Sequence, residues 1–159
     1  MSYILGIDCS SSTVHSVLLD STGKFLFSNK CENRTKDIDL KFNYVCDCFS
    51  EFLDNNTDMF IETTAVIENP IMIQNVKATI TIANVIAGVK RELYKHGISY
   101  WGIDNKSWKK GVLGNGSAQK EEIMRFSEMK WGKGNFTEQD YADAACVALW
   151  GVLRFTNGS

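Results

Sequence analysis

Two acidic residues stand at the ends of apolar segments. Residues 3 to 8 form an apolar run that ends in Asp8, and the strand-like run from Met59 to Ile67 is followed by Glu68. A carboxylate at the rim of a core is costly unless it meets a cation or hydrogen-bond donors. If the two strands are neighbours, both carboxylates lie at one edge of the sheet. Either acid alone could equally be a solvated turn residue.

The last predicted helix carries two more acids. From Tyr141 to Leu153 the chain has one charged residue, Asp143, and alanines surround it. Asp140 lies three residues earlier, which places both carboxylates on one helix face. The small neighbours offer Asp143 no hydrogen bond and would let the helix approach a sheet closely. Asp140 has an alternative role, because the segment from Thr137 to Asp140 matches a capping box.

Carboxylates that converge without histidine or thiolate ligands favour hard cations, Mg²⁺ or Mn²⁺, over zinc. Two such ions about 4 Å apart can activate water on one side of a phosphodiester and stabilise the leaving oxygen on the other. We therefore predict a catalytic site for nucleic-acid hydrolysis that binds two Mg²⁺ ions, for which Mn²⁺ could substitute. Its metal ligands would be Asp8, Glu68, Asp140 and Asp143.

Length and composition favour one domain over residues 1–159. A chain of 159 residues with 44% hydrophobic side chains can bury one sizeable core. Its five cysteines include no C-x-x-C pair, which favours a reduced, cytoplasmic setting over a disulfide framework or a zinc ribbon. The first residues do not resemble a signal peptide. The uncharged stretch 78–89 is shorter than the roughly 20 residues of a spanning helix, so no membrane partner is expected.

Periodicity predicts alternating strands and helices. Three antiparallel strands come first, then a helix, a strand, a long helix and a fifth strand. A basic glycine-bearing loop and two helices follow. The predicted strands are 3–8, 14–19, 24–30, 59–67 and 98–103; the predicted helices are 37–55, 74–96, 117–130 and 137–155; the predicted loop is 106–116.

The predicted loop is a candidate site for binding a phosphate backbone. Gly111, Gly114 and Gly116 come before a helix, where backbone N–H groups could bind phosphate. Such glycines are also typical of turns, and the segment lacks the Gly-Lys-Ser/Thr of a Walker A loop. Basic residues outnumber acidic ones between residues 90 and 133, which indicates either a polyanion-binding surface or a solvated face. The candidate DNA-binding residues are Lys109, Lys110, Gly114, Gly116, Ser117 and Lys120.

Aromatic residues and histidines add weaker signals. Trp101, Trp108 and Trp131 lie near the lysines and could stack on bases or belong to the core. His15 and His96 are interpreted as ordinary residues, because neither has a second histidine or cysteine at ligand spacing.

The sequence resembles the RuvC-type Holliday-junction resolvases of the ribonuclease H-like superfamily. The resemblance runs nearly from end to end and lies in the order and spacing of four segments: Ile4-Leu-Gly-Ile-Asp8; Val66-Ile-Glu68 followed by Asn75; Gly114-Asn-Gly-Ser-Ala-Gln-Lys120; and Asp140-Tyr-Ala-Asp143-Ala-Ala. It implies an α/β fold whose five-stranded mixed sheet has three antiparallel N-terminal strands and two parallel ones, flanked by helices.

The resemblance also implies a function. Asp8, Glu68, Asp140 and Asp143 would be the catalytic metal ligands, and Lys109 and Lys120 would contact DNA or assist at the scissile phosphate. The expected enzyme is a homodimeric, Mg²⁺-dependent endonuclease that cuts opposed strands of a four-way junction, with flaps and forks as further candidate substrates. Two family features are replaced, since Cys9-Ser10 stand where Pro-Gly is usual and Asn69-Pro70-Ile71-Met72 where an aromatic wedge is frequent.

Three other functions fit parts of the sequence. Gly6-Ile-Asp8 and the serines up to Thr13 resemble the phosphate loop of sugar kinases and actin-like ATPases, although those proteins are more than twice as long. A second alternative is a nuclease-like scaffold that binds branched DNA without cutting it. The third is a RuvC-like nuclease of ribosomal RNA processing, whose relatives match the glycine-lysine segment less well.

Overall fold

A mixed sheet of five strands runs through the computed structural model, which describes residues 2–70 and 75–155. In chain order the strands are β1 (Tyr3–Cys9), β2 (Thr13–Asp20), β3 (Phe25–Glu32), β4 (Thr63–Glu68) and β5 (Ser99–Ile103). Their order across the sheet is β3-β2-β1-β4-β5. The first three are antiparallel, whereas β4 pairs in parallel with both β1 and β5. The predicted mixed sheet is confirmed.

Helices cover both faces of this sheet. They are α1 (Ile38–Asp54), α2 (Thr57–Phe60), α3 (Val76–Lys95), α4 (Asn105–Leu113), α5 (Lys120–Trp131) and α6 (Gln139–Phe155), with a 3₁₀ turn at Lys133–Asn135. Among the helices of the described residues, none has both the length and the apolar character needed to cross a membrane. The cytoplasmic setting stays a prediction.

Alternation along β1 divides the core into two layers. Leu5 and Ile7 face the layer that contains α1 and α3, whereas Ile4 faces the layer that contains α6. Successive side chains of a strand point to opposite faces, so Gly6 and Asp8 lie on the α6 side with Ile4. The same alternation puts Glu68 on that side with Val66. Helix α6 therefore packs directly over the residues that lead to both acids.

Small residues let α6 approach the sheet closely. A Cβ atom added to Gly6 would overlap the backbone of α6 at the Ala144 carbonyl oxygen and lie 2.7 Å from the Cβ of Ala148. A Cβ added to Gly151 would lie 2.8 Å from methyl groups of Ile4 and Val66. The position of α6 against β1 and β4 therefore depends on glycine on both sides of the contact.

The prediction of a loop over residues 106–116 is wrong for most of that segment. Helix α4 occupies it, and the Asp104 side chain caps the helix by accepting the Ser107 N–H at 3.0 Å. Gly114, with φ of 77°, ends the helix in the left-handed region that suits glycine. Gly111 lies inside the helix, where a Cβ would come within 2.9 Å of the Trp150 ring. Its glycine is thus explained by packing, not by a turn.

Other element boundaries differ by a few residues from the predictions. The strand predicted from Met59 begins at Thr63, because residues 57–60 form the short helix α2. The helices predicted from Ser117 and Thr137 begin at Lys120 and Gln139. The predicted helix start at Gln74 and the Ile71-Met72 segment lie outside the described residues.

A disulfide corrects the expectation of fully reduced cysteines. Cys31 of β3 and Cys48 of α1 form a disulfide bond, and Cys9, Cys46 and Cys146 are free. The two partners come from different elements that pack against each other, so spacing along the sequence carried no sign of the pairing.

The close contact at Gly6 predicts that a side chain added at this position strongly destabilises the fold. We expect Gly6→Ala to lower the free energy of unfolding by about 3 kcal/mol, at the upper end of typical overpacking effects, because the new methyl group meets helix backbone that cannot yield. Urea denaturation followed by circular dichroism measures the change. The matched control is Gly134→Ala, where an added Cβ has no atom within 4 Å, and its effect should stay within about 0.5 kcal/mol. Equal stability of the two variants would contradict the packing argument.

Candidate active site

The first two acids stand at neighbouring strand ends. Ile7 of β1 pairs in parallel with Ile67 of β4, so Asp8 and Glu68 follow side by side at the same edge of the sheet. Glu68 is 8% exposed, and its Oε1 accepts a hydrogen bond of 2.8 Å from the Asn105 side chain. No sequence pattern indicated a role for Asn105, although its place at the start of α4, just after β5, puts it beside the end of β4.

The other two acids come from the first turns of α6. Carboxylate oxygens of Asp8, Asp140 and Asp143 lie within 4.8 Å of one another. The Gln139 side chain donates a hydrogen bond of 3.1 Å to Asp143 Oδ1. Because α6 begins at Gln139, Asp140 is its second residue, whereas a capping box with Thr137 as N-cap would place it third. The structure therefore brings all four predicted acids to one edge of the sheet.

Burial and repulsion from neighbouring carboxylates raise the pKa values of Asp8, Glu68 and Asp143. Burial is the largest cause for Asp8, and the charges of Glu68, Asp143 and Asp140 raise its pKa further, to well above the usual value. Burial also raises the pKa of Asp143, to about 6, with the Gln139 hydrogen bond opposing the shift. Burial raises the pKa of Glu68 against the hydrogen bond from Asn105. The hydrogen bonds from Asn105 and Gln139 thus offset only part of these pKa rises.

A divalent cation fits this arrangement. The donors that converge are carboxylate oxygens, the ligands that Mg²⁺ and Mn²⁺ prefer. Burial and the neighbouring carboxylates both disfavour the ionised forms of Asp8 and Asp143, and a cation between them would stabilise those forms. Asp8, Asp140 and Asp143 are placed to hold such an ion, with Glu68 beside them.

Lysines line a cleft next to the acids. The cleft has a volume of about 490 Å³, and Asp143 lies in its wall together with Lys109, Gly116, Ser117 and Lys120. The Lys109 charge opposes the pKa rise of both Glu68 and Asp143. Four of the six candidate DNA-binding residues therefore border one cleft. The other two, Lys110 and Gly114, are exposed but are not among its lining residues.

The glycine-bearing turn after α4 uses several of its own N–H groups. The Gly114 N–H donates to the Lys110 carbonyl at 2.9 Å, and the Ser117 N–H donates to Asn115 Oδ1 at 3.0 Å. The Ala118 N–H bonds the Asn115 carbonyl at 3.1 Å. This pattern favours the interpretation as a structural turn over an open phosphate cradle, and leaves the lysines as the main groups available to a polyanion.

The three candidate tryptophans have different surroundings. Trp108 is fully buried in the core. Trp131 packs against Phe136, and its indole N–H donates to the Gly23 carbonyl at 2.8 Å. Trp101 of β5 is 53% exposed. Of the three, only Trp101 presents an open aromatic surface.

The sequence pattern of His15 did not indicate its surroundings. It is 1% exposed, and its Nε2 lies 3.0 Å from Glu138 Oε2 while its Nδ1 lies 3.7 Å from Asp140 Oδ2. The register of the first hairpin could have predicted that His15 lies beside the acids, because Asp8 of β1 is directly opposite His15 of β2. The other histidine, His96, bonds Asp54 and the Glu92 carbonyl, as an ordinary structural residue does.

The charge crowding predicts an unusual stability effect in metal-free protein. Since the folded pKa of Asp143 is raised to about 6, its protonated form stabilises the fold below about pH 4, and this stability is lost as the pH rises through 6. We expect Asp143→Asn to be more stable than the parent at about pH 7.5 in EDTA, by up to about 3 kcal/mol. At about pH 4 the two should unfold together.

Urea denaturation at both pH values measures this difference. Asp47→Asn, an exposed substitution on α1, is the control and should change stability at neither pH. A loss of stability in Asp143→Asn at neutral pH would contradict the repulsion argument.

Comparisons with known proteins agree with this geometry. The family model described as crossover junction endodeoxyribonuclease RuvC matches residues 4–150. No curated protein sequence matches the chain. T. thermophilus RuvC in complex with Holliday junction substrate has a TM-score of 0.83 at 15% identity, covering 99% of this chain and 97% of that one. A further Thermus thermophilus RuvC structure has a TM-score of 0.79 at 15% identity, covering 98% and 96%.

The structural likeness confirms the ribonuclease H-like fold that the sequence predicted. The family match extends over nearly the whole chain and includes all four acids. This protein therefore belongs to the RuvC family of crossover junction endodeoxyribonucleases.

Proposed function

We propose that this protein is a structure-specific endodeoxyribonuclease that resolves Holliday junctions, acting as a single domain. One observation carries the proposal: in a chain of the RuvC family, carboxylates from β1 and α6 converge beside a lysine-lined cleft, with Glu68 of β4 at the same edge of the sheet. The acids supply ligands for the ions that hydrolysis needs, and the cleft supplies positive charge for the DNA backbone. The fold match to a RuvC in complex with a Holliday junction substrate supports the same function.

The acids would bind the metal ions, and neighbouring side chains hold the acids in position. Asp8, Asp140 and Asp143 would hold Mg²⁺, with Glu68 completing the site for a second ion. Bound ions would lower the pKa of the attacking water and neutralise charge on the phosphodiester. The hydrogen bonds from Asn105 to Glu68 and from Gln139 to Asp143 fix the carboxylates in place, so little reorganisation is needed when substrate binds.

The lysines would bind and orient the DNA. Lys120 begins α5 at the wall of the cleft that also contains Asp143, which is the right place to stabilise negative charge on the scissile phosphate. Lys109 lines the same cleft, and its charge opposes the pKa rise of Glu68 and Asp143. Lys110, Gly114, Gly116 and Ser117 would contact the backbone farther from the cut.

A homodimer would place two such sites on opposed strands. Exposed apolar side chains support it: Val76 and Ile80 of α3 are 69% and 55% exposed, and Leu40 of the neighbouring α1 is 48% exposed. Exposed apolar side chains on two adjacent helices favour burial of this surface against a partner. A two-fold dimer buries the same patch on both copies.

Cleavage of a synthetic four-way junction tests the proposed function. We expect the protein with Mg²⁺ to introduce paired nicks in opposed strands and to spare linear duplex of the same sequence. Asp143→Asn should bind the junction but cut it about a hundredfold more slowly or worse, because even partners of metal ligands are worth about 10- to 100-fold. Denaturing gels of end-labelled strands give both the sites and the rates.

The same assay separates the alternatives. Asp47→Asn should cut like the parent protein. Undiminished cutting by Asp143→Asn would remove the metal assignment, and equal cutting of linear duplex would remove structure specificity. Flaps, forks and a structured RNA in parallel reactions define which branched substrates are accepted.

The lysine cleft predicts a salt-dependent contribution to binding. In an Asp143→Asn background, which prevents cutting, we expect Lys109→Ala and Lys120→Ala each to weaken junction binding. Each should also reduce the slope of log K against log salt by about one, as the loss of one phosphate contact does. Fluorescence anisotropy at several salt concentrations measures both quantities.

Lys95→Ala is the control for charge alone. Lys95 is 54% exposed at the end of α3, which leads into β5 at the opposite edge of the sheet from the acids. Its replacement should leave the slope unchanged. A common effect of all three substitutions would show that binding follows net charge and not the cleft.

A further inference from the structure

His15 lies in a row of side chains that crosses three strands. Asp8 of β1 is directly opposite His15 of β2, and His15 is directly opposite Lys30 of β3. Cross-strand partners project on the same face of a sheet, which here is the face beneath α6. The Tyr141 ring packs edge-on against the imidazole at 4.7 Å between centroids. The ring of His15 is therefore held rigidly between the acidic site and Lys30.

Glu138 determines which nitrogen of His15 carries the proton. The Lys30 ammonium lies 2.6 Å from Glu138 Oε1, so the Glu138 carboxylate is held in an ion pair. A carboxylate that is paired with an ammonium group accepts hydrogen bonds and does not donate them. Because Nε2 of His15 lies 3.0 Å from Glu138 Oε2, Nε2 must donate. In the tautomer with the proton on Nε2, the lone pair of Nδ1 faces Asp140 Oδ2.

Nδ1 is a buried nitrogen without a hydrogen-bond partner among the described residues. Asp140 Oδ2 is 3.7 Å away, which is too far for a hydrogen bond. Two ligands of one ion with bonds of about 2.1 Å can lie up to about 4.2 Å apart, so the separation suits a shared cation. A lone pair facing a carboxylate in a buried site is otherwise unfavourable.

The surrounding groups match those of a metal-binding histidine. Such a histidine usually donates its other N–H to a carboxylate, which fixes the ring and its tautomer. Glu138 is the carboxylate that accepts from His15, and the Lys30 ammonium donates to Glu138 in turn. Asp140 belongs both to the group with Asp8 and Asp143 and to the group with His15 and Glu138. It lies between two places where an ion can bind.

We propose that Nδ1 of His15 is a direct ligand, together with Asp140, of one of the divalent ions of this site, and that Glu138 and Lys30 orient it. The inference rests on the proposed function, since it concerns the same metal site. Imidazole suits transition metals better than Mg²⁺. One of the two positions therefore favours Mn²⁺, whereas the position formed by Asp8, Asp140 and Asp143 accepts either ion.

The chain offers a direct spectroscopic test, because it contains two histidines, His15 and His96. Protein without a polyhistidine tag is loaded with Mn²⁺, and electron spin-echo envelope modulation detects ¹⁴N of a coordinated imidazole. We expect this signal in the parent protein and in His96→Gln, and its loss in His15→Gln. Mn²⁺ affinity, from titration of the free-ion spectrum, should fall on the order of tenfold in His15→Gln. Mg²⁺ affinity should change little.

His96→Gln keeps the buried His15 intact, so the test remains valid even if His15→Gln fails to fold. In that variant any imidazole signal must come from His15. Bound Mn²⁺ without an imidazole signal in His96→Gln would overturn the inference and leave the proposed function standing. Absence of Mn²⁺ and Mg²⁺ binding altogether would overturn both.

Discussion

The close contact between α6 and β1 is the constraint on which the rest of the site depends. Gly6 has no side chain, and the alanines of α6 lie directly over it. This packing brings Asp140 and Asp143 within reach of Asp8, which follows Gly6 on the same face of the strand. A larger residue at Gly6 would hold the helix away from the sheet and separate the carboxylates. The positions of the carboxylates thus depend on a packing contact between glycine and alanine residues.

That contact forces together charges that repel each other. Apolar packing of α6 on the sheet provides the favourable free energy, and burial of Asp8 and Asp143 opposes it, as their raised pKa values show. Asn105 and Gln139 donate one hydrogen bond each, which leaves most of the carboxylate lone pairs for other partners. A core that is otherwise apolar can tolerate this unfavourable region because the region is small. The same imbalance would favour a divalent cation between these carboxylates.

Much of this arrangement could be predicted from the sequence, and the remainder shows where local patterns stop being informative. Asp143 stood out because its alanine neighbours offer an acid no local partner. Gly111 misled the prediction, because a glycine that makes room for another helix looks the same in sequence as one in a turn. The pairing of Cys31 with Cys48 and the position of His15 depend on contacts between elements. Periodicity within one element carries no information about them, whereas the register of the first hairpin does.

The two sides of the acidic site differ in a way that bears on Asp140. Lysines face Asp143 across the cleft, whereas His15 and the Glu138–Lys30 pair border Asp140. A residue whose only role was to cap α6 would need no such surroundings, and α6 begins one residue too late for the capping box to form as expected. Asp140 is instead the acid that the two candidate ligand groups of the described residues share. Asp140, for which the sequence offered capping as an alternative role, thus lies between the two candidate ligand groups of the site.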